Sequence, residues 1–163
     1  MSRAFVKEGD GGLEPLPDLP ISTHPNWVTP RGLQDLQGRL LARQHDLAGL
    51  RGRAERLDKL PEAAAERDIR YLEARLRTAQ VIDPAAQGTD EVAFGLRVTV
   101  ADPAGHTTIY EITGEDEADA ILGRIAPNAP LARALMGARV GDVVEWRRPA
   151  GMIELEVCAI RRP

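Results

Sequence analysis

The stretch LDKLPEAAAERD, residues 57–68, carries two carboxylates, Asp58 and Glu62, on either side of Leu60 and Pro61 and between two runs of apolar residues at helical spacing. It reads as the turn of a helical hairpin, and Asp58 and Glu62 stand close to its tip. Carboxylates in that place pose one question: whether the tip carries out chemistry or only turns the chain. The local reading is that Asp58 caps the second helix and Glu62 favours the positive end of its dipole. Lys59 between them, and Arg51, Arg53 and Arg56 just before, compete for both carboxylates.

The other groups able to do chemistry are scattered. His24, His45 and His106 fall in unrelated elements, no pair has metal-ligand spacing, and no second cysteine is present. Each reads as a surface histidine. Ser2 and Ser22 are the only serines, and both lie near the N-terminus, so no nucleophilic triad can be assembled. The glycine-rich pieces GDGG and GARVGD match neither a phosphate-binding loop nor a dinucleotide fingerprint. Cys158 lies in the apolar run VCAI and reads as a buried small hydrophobe. These motifs do not describe a self-contained enzyme, and they imply no cofactor of the protein's own.

Two elements would position the tip. VTPRGLQDLQGRL opens a helix with Thr29 as N-cap, Pro30 at the first helical position, and Val28 and Leu33 spaced as a hydrophobic staple. Leu33, Leu36, Leu40, Arg43, Leu47, Leu50, Ala54 and Leu57 then keep a 3,4 spacing that only Arg43 breaks. Ala65, Ile69, Leu72, Leu76 and Ala79 repeat it. The two seams predict an antiparallel coiled-coil hairpin over 29–83. Gly49 and Gly52 offer a rival turn site, but the seam runs through them to Leu57. Helix one is therefore expected to span about 28 residues, roughly 42 Å, and helix two roughly 30 Å at helical rise.

Residues 1–28 form a flexible tail, rich in glycine and then proline, with Phe5 and Trp27 as aromatics that could dock on the folded body. Residues 84–90 are a linker after Pro84 stops the helix. Residues 90–163 read as a small α+β domain on an antiparallel sheet. VAFGLRVTV, TTIYEI, DVVEWRR and IELEVCAI are its strands, and DEADAILGRI and PLARALMG its short helices. Ile153, Leu155, Val157 and Ala159 are expected on one face of the last strand. The 163-residue chain has a net charge of −4, which argues against coating nucleic acid by bulk charge. Residues 29–83 carry eleven basic and nine acidic side chains, 11 − 9 = +2, the mixture of a solvated helix surface. The beginning MSRAFVKEGDGG lacks a signal-peptide core, and no stretch approaches the ~20 apolar residues of a membrane helix, so a cytoplasmic protein without membrane contact is expected.

The hairpin and the α+β domain together resemble the Gre family of bacterial RNA polymerase elongation factors. VTPRGLQDLQGRL resembles the family's opening of helix one and YLEARLRTAQVID the end of helix two. VAFGLRVTV, GEDEAD, RIAPNAPLARALMGARVGD and EWRRPAG resemble its C-terminal domain in order and spacing, and MSRAFVKE resembles the start of a GreB-like subgroup. The resemblance covers residues 27–163. It implies an FKBP-like C-terminal domain that docks on the rim of the polymerase secondary channel while the hairpin enters the channel, and it implies a monomer. The docking segment would be Glu117, Ala118 and Asp119 through Pro130, Leu131 and Ala132, with Asp119 and Pro130 foremost. Ala126 and Ala129 depart from the family's usual serines.

The resemblance fails at the tip. Family members that stimulate transcript cleavage carry a signature like D-L-[SK]-E-N-A-E-Y, whose acids hold a second Mg²⁺ at the polymerase active site. No such motif occurs here, and the hairpin is shorter by about two turns per arm, roughly 11 Å. Asp58 and Glu62 are the only substitutes for those ligands. The resemblance therefore points to a channel-binding regulator with weak or no cleavage stimulation, like the regulator of nucleoside diphosphate kinase. The alternative is a cleavage factor that lends Asp58 and Glu62 to Mg²⁺ in the polymerase. A prolyl isomerase is the reading from fold alone. Phe94, Tyr110 and Trp146 are too few aromatics to line its proline pocket.

Overall fold

The computed structural model describes residues 14–54 and 58–163. Helix α1 spans Pro30–Arg51 and α2 spans Leu60–Thr78. The start of α1 follows from its first residues: Thr29 is extended, and its Oγ1 accepts a hydrogen bond from the Gly32 N–H at 3.0 Å. Its end does not follow the leucine seam. The helix stops at Arg51, not Leu57, and the Gly52 N–H closes it on the Ala48 carbonyl at 3.0 Å. Two glycines in four residues each cost about 1 kcal/mol of helix propensity, and Leu50 is the last seam residue to offset them. Ala54 is exposed, and Leu57 lies outside the described residues.

The helices run antiparallel, since Arg51 pairs with Glu66 at 2.6 Å while Arg43, farther from the turn, pairs with Asp68 at 3.3 Å. Arg43 thus breaks the seam to make an ion pair at its edge, and Asp46 takes the same guanidinium. The apolar contacts gather at the hairpin base. Val28, Leu36 and Leu72 are buried there, with Leu33, Leu40, Tyr71, Leu76 and Ala79 packed around them.

The base is closed by two short strands that the sequence pattern does not reveal, because two residues show no alternation. Trp27–Val28 (β1) pairs in parallel with Gln80–Val81 (β2). Trp27 reaches the other core, with its ring edge-on to Phe94 at 5.7 Å. Phe5 lies outside the described residues. The expected linker contains a 3-10 turn, Pro84–Ala86, capped by the Asp83 carboxylate.

The C-terminal sheet comprises β3 (Arg97–Ala101), β4 (Thr107–Ile112), β5 (Arg124–Ile125), β6 (Val143–Arg148) and β7 (Gly151–Arg161), in the order β5-β4-β3-β7-β6. It is mixed, not purely antiparallel, because β5 runs parallel to β4. Helix α3 (Pro130–Leu135) covers it, burying Leu131, Ala132 and Leu135 against Leu96, Val98, Val100, Ile112 and Val157. The chain is an α+β protein, a helical hairpin followed by this domain.

Two expectations about side chains change. DEADAILGRI is not helical: Glu115–Glu117 is a 3-10 turn and a tight turn then enters β5. Acidic side chains there bind nearby backbone N–H groups and compete with helix hydrogen bonds. Cys158 is exposed and not buried, on the outward face with Glu154 and Glu156, and β7 carries a bulge there. Thr99 pairs with Ala159 and Val100 with Val157, leaving Cys158 as the extra residue. Beyond the bulge the alternation changes phase, and Ile160, not Ala159, becomes the buried residue.

Gly38 lies inside α1 with open space where a Cβ would stand. Gly38→Ala should stabilise the protein by about 0.5–1 kcal/mol, read as a higher urea midpoint at unchanged slope.

Candidate functional site

The acidic run Glu115-Asp116-Glu117 is where hairpin and sheet meet. Glu117 is buried and accepts hydrogen bonds from the Thr29 N–H and the Gly114 N–H, each at 3.1 Å, and from the Thr29 hydroxyl. A carboxylate thus sits at the N-terminus of α1, where free N–H groups and the helix dipole favour negative charge. Gly32 is required by this contact, since a Cβ there would overlap the Glu117 carboxyl.

The second half of the joint is Arg75 on α2, whose side chain is 1 % exposed. Its Nε donates to Asp116 at 2.6 Å and its Nη2 to Glu115 at 3.3 Å. Tyr71, one turn earlier, donates its hydroxyl to the other oxygen of Asp116 at 2.6 Å. Burial, together with that hydrogen bond and the Asp116 charge, pushes the Tyr71 phenol up to about 12. Glu115 also accepts from Ser22 and Asn128. On the sheet side, Glu111 takes Arg31 at 2.7 Å and Arg97 at 3.1 Å. Burial alone would raise the Glu111 carboxyl, but the two guanidiniums outweigh it and hold it below its ordinary value.

Asp119 follows this run and does a different job. Its carboxylate accepts from the Ile121 N–H at 2.9 Å, and its backbone bonds to Arg124 in both directions. The turn so made holds Ile121 95 % exposed and Leu122 60 % exposed. Gly123 completes it at φ +69°, with its backbone against the Ile109 carbonyl, so that a Cβ there would lie 2.6 Å from that oxygen. Ile109 on β4 is itself 59 % exposed. A small apolar surface therefore stands out at the end of the sheet.

The structure thus divides the residues expected to touch a partner. Glu117, Leu131 and Ala132 are buried, the first in the joint and the other two in the core under α3. Pro130 is exposed at the start of α3, and Asp119 is partly exposed. The residues the sequence reading missed are Arg75, Tyr71, Glu115 and Asp116. Arg75 sits three residues after Leu72 on the buried side of α2, but its pairing with a segment forty residues away leaves no local sign.

At the tip, Asp58 is exposed and accepts from the Leu60 N–H at 2.9 Å, but the N-cap position of α2 is Lys59, not Asp58 as expected. Glu62, one turn on, is buried. A hard cation needs oxygens that converge from an accessible side, and of this pair only Asp58 is exposed.

Comparison with known proteins decides the family. The elongation factor GreA of Pseudomonas aeruginosa is 39 % identical over 124 residues, which cover 74 % of this chain and 78 % of the relative. The chain belongs to the GreA/GreB family. The C-terminal family description "Transcription elongation factor, GreA/GreB, C-term" matches residues 87–162. GreA of Sphingopyxis alaskensis is 43 % identical over 90 residues, but these span 55 % of this chain and 57 % of that one. GreA of Alkalilimnicola ehrlichii is 41 % identical over 102 residues, 61 % of this chain and 65 % of the relative. The solved structure of the transcription factor Gfh1 aligns over 84 % of this chain and 97 % of its own at 25 % identity, with a TM-score of 0.42. GreA/GreB proteins are accessory factors and not themselves enzymes.

Arg75→Met leaves the half-buried Asp116 and Glu115 without their cation, and should cost about 3 kcal/mol in urea unfolding. Because the Tyr71 pKa is raised in the folded state, its contribution is complete below pH 10 and is lost as pH rises from 10 towards 12. Tyr71→Phe should flatten the stability profile across that alkaline window, with the loss of one phenol that ionises near the top of it in the ultraviolet spectrum.

Proposed function

We propose that this GreA/GreB-family protein is a cytoplasmic, monomeric regulator that docks on bacterial RNA polymerase at the rim of the secondary channel, with its hairpin directed into the channel. The carrying observation is the Asp119 turn. It spends a carboxylate on two backbone N–H groups to hold Ile121 and Leu122 out in water, beside exposed Ile109. Apolar side chains held that rigidly away from the core are the anchor of an interface. Asp119 acts here by shaping the loop, and Pro130 adds an exposed apolar edge. The acids before it are occupied in the joint, which fixes the angle between docking loop and hairpin.

In this reading the protein modulates elongation by occupancy and gives little or no cleavage stimulation, since Glu62 is buried and Asp58 is engaged by the Leu60 N–H. Any Mg²⁺ belongs to the polymerase. The GreA names of the relatives favour a second reading, in which the tip supports the polymerase's own RNA cleavage through Asp58 and Glu62.

Ile121→Asp and Asp119→Arg should each weaken binding to core polymerase about tenfold or more, with thermal unfolding little changed. In backtracked elongation complexes the protein alone should leave cleavage unaccelerated and should suppress an added cleavage factor in proportion to its concentration. Acceleration that Asp58→Ala/Glu62→Ala abolishes establishes the second reading instead.

A further inference from the structure

The proline-rich segment before β1 does not leave the hairpin. Its described part begins at Glu14 and runs with neither helix nor strand as far as β1. Pro15, Pro17 and Pro20 keep such a chain extended, and in an extended polyproline-like chain every third residue returns to one side. Leu16 and Leu19 are the half-buried residues, while Pro17, Asp18 and Pro20 are exposed. Leu19 forms one wall of a cavity whose other walls are Tyr71, Leu72 and Asp68 of α2 and Arg39, Ala42, Arg43 and Asp46 of α1. Arg70 clamps the segment from α2, donating to the Asp18 carboxylate at 2.6 Å and to the Leu16 carbonyl at 3.0 Å.

The two ends of this segment are held differently. At its root, Asn26 is buried and donates to the Arg75 carbonyl at 2.8 Å and to Thr78 at 3.0 Å, and Ser22 donates to Glu115 at 2.8 Å. These bonds belong to the joint. At its outer part the ion pair has side chains 39 % and 74 % exposed, open to screening by salt. The outer part can therefore leave α2 while the root stays.

We propose that residues 14–21 form a removable collar on the hairpin, which sets how much of it can enter a narrow opening; this rests on the channel reading above. With the collar seated, the bare hairpin begins at Arg43 and Asp68. From Arg43 to the end of α1 at Arg51 leaves about 13 Å of helix, against about 33 Å for all of α1, at 1.5 Å per residue. The collar thus adds a third strand of chain to the two-helix cross-section over the basal half of the hairpin, and among the described residues nothing else lies along the tip half. Its release lengthens the reach by about 20 Å without any change in the helices.

The test uses the full chain with Cys158→Ser and a hydroxyl-radical-generating iron chelate on Gly49→Cys, a position with open space around it. Leu16→Asp/Leu19→Asp releases the collar. Release is read in the free protein as loss of the protected Arg70 Nε–H resonance. On core polymerase the parent should cut near the channel rim, and the release variant deeper, by a distance on the order of 20 Å. Asp18→Arg should behave as the release variant does, and Asp18→Arg/Arg70→Asp should restore the parent's pattern. Identical cutting by parent and release variant, or an unprotected Arg70 resonance in the parent, overturns the collar. Failure of the parent to bind polymerase overturns the channel reading and the collar's role in it, whatever the Arg70 resonance shows.

Discussion

A guanidinium cannot be left inside a protein without acids around it. Arg75 is buried, so Asp116 and Glu115 have to come to it, and they bring the whole C-terminal sheet with them. Glu117, next in the same run, reaches the opposite helix at its N-terminus. One short acidic segment of the sheet domain thus grips both arms of the hairpin: α2 through a charge pair, α1 through its unsatisfied N–H groups. The position of the hairpin relative to the docking loop follows from these contacts, because the loop starts two residues after Glu117.

The joint also explains how a thin hairpin holds its shape. Its fully buried apolar cluster is Val28, Leu36 and Leu72, all near the base. Beyond that, Leu47 is buried along with the small residues Ala63 and Ala65, and ion pairs line the edges. A helix pair with so little apolar area would be marginal alone. Here the base is clamped by β1 and β2, by Trp27 reaching into the sheet core, and by the acidic run.

Much of this architecture was legible in the sequence, and the failures have physical reasons. Thr29-Pro30 announced the start of α1, and TTIYEI announced β4 residue for residue. The leucine seam was a poor guide to the end of α1, because spacing records where apolar residues would face if the helix continued. It does not record what Gly49 and Gly52 cost. In β7 the alternation was read straight through Cys158, where a bulge changes the phase; a one-residue insertion leaves the pattern plausible on both sides. At the site, the resemblance names Asp119 and Pro130, and the structure gives Asp119 the work of forming a turn. Glu117 enters the docking segment through the resemblance alone, and nothing local to it signals burial. Its partners, the Thr29 and Gly114 N–H groups, are brought to it by folding.

The sharing of one acidic run between joint and docking loop bears on how loss-of-function alleles would be read. Substitutions at Glu115, Asp116 or Glu117 remove activity by lowering the amount of folded protein, and they lie within four residues of Asp119 and six of Ile121. A genetic screen scored only by phenotype would merge these into a single hot spot. Scored also by steady-state abundance, and with the Asp119 turn docking as proposed, the hot spot separates into an upstream half that depletes the protein and a downstream half that leaves a normal quantity of inert protein, with the boundary at Ala118.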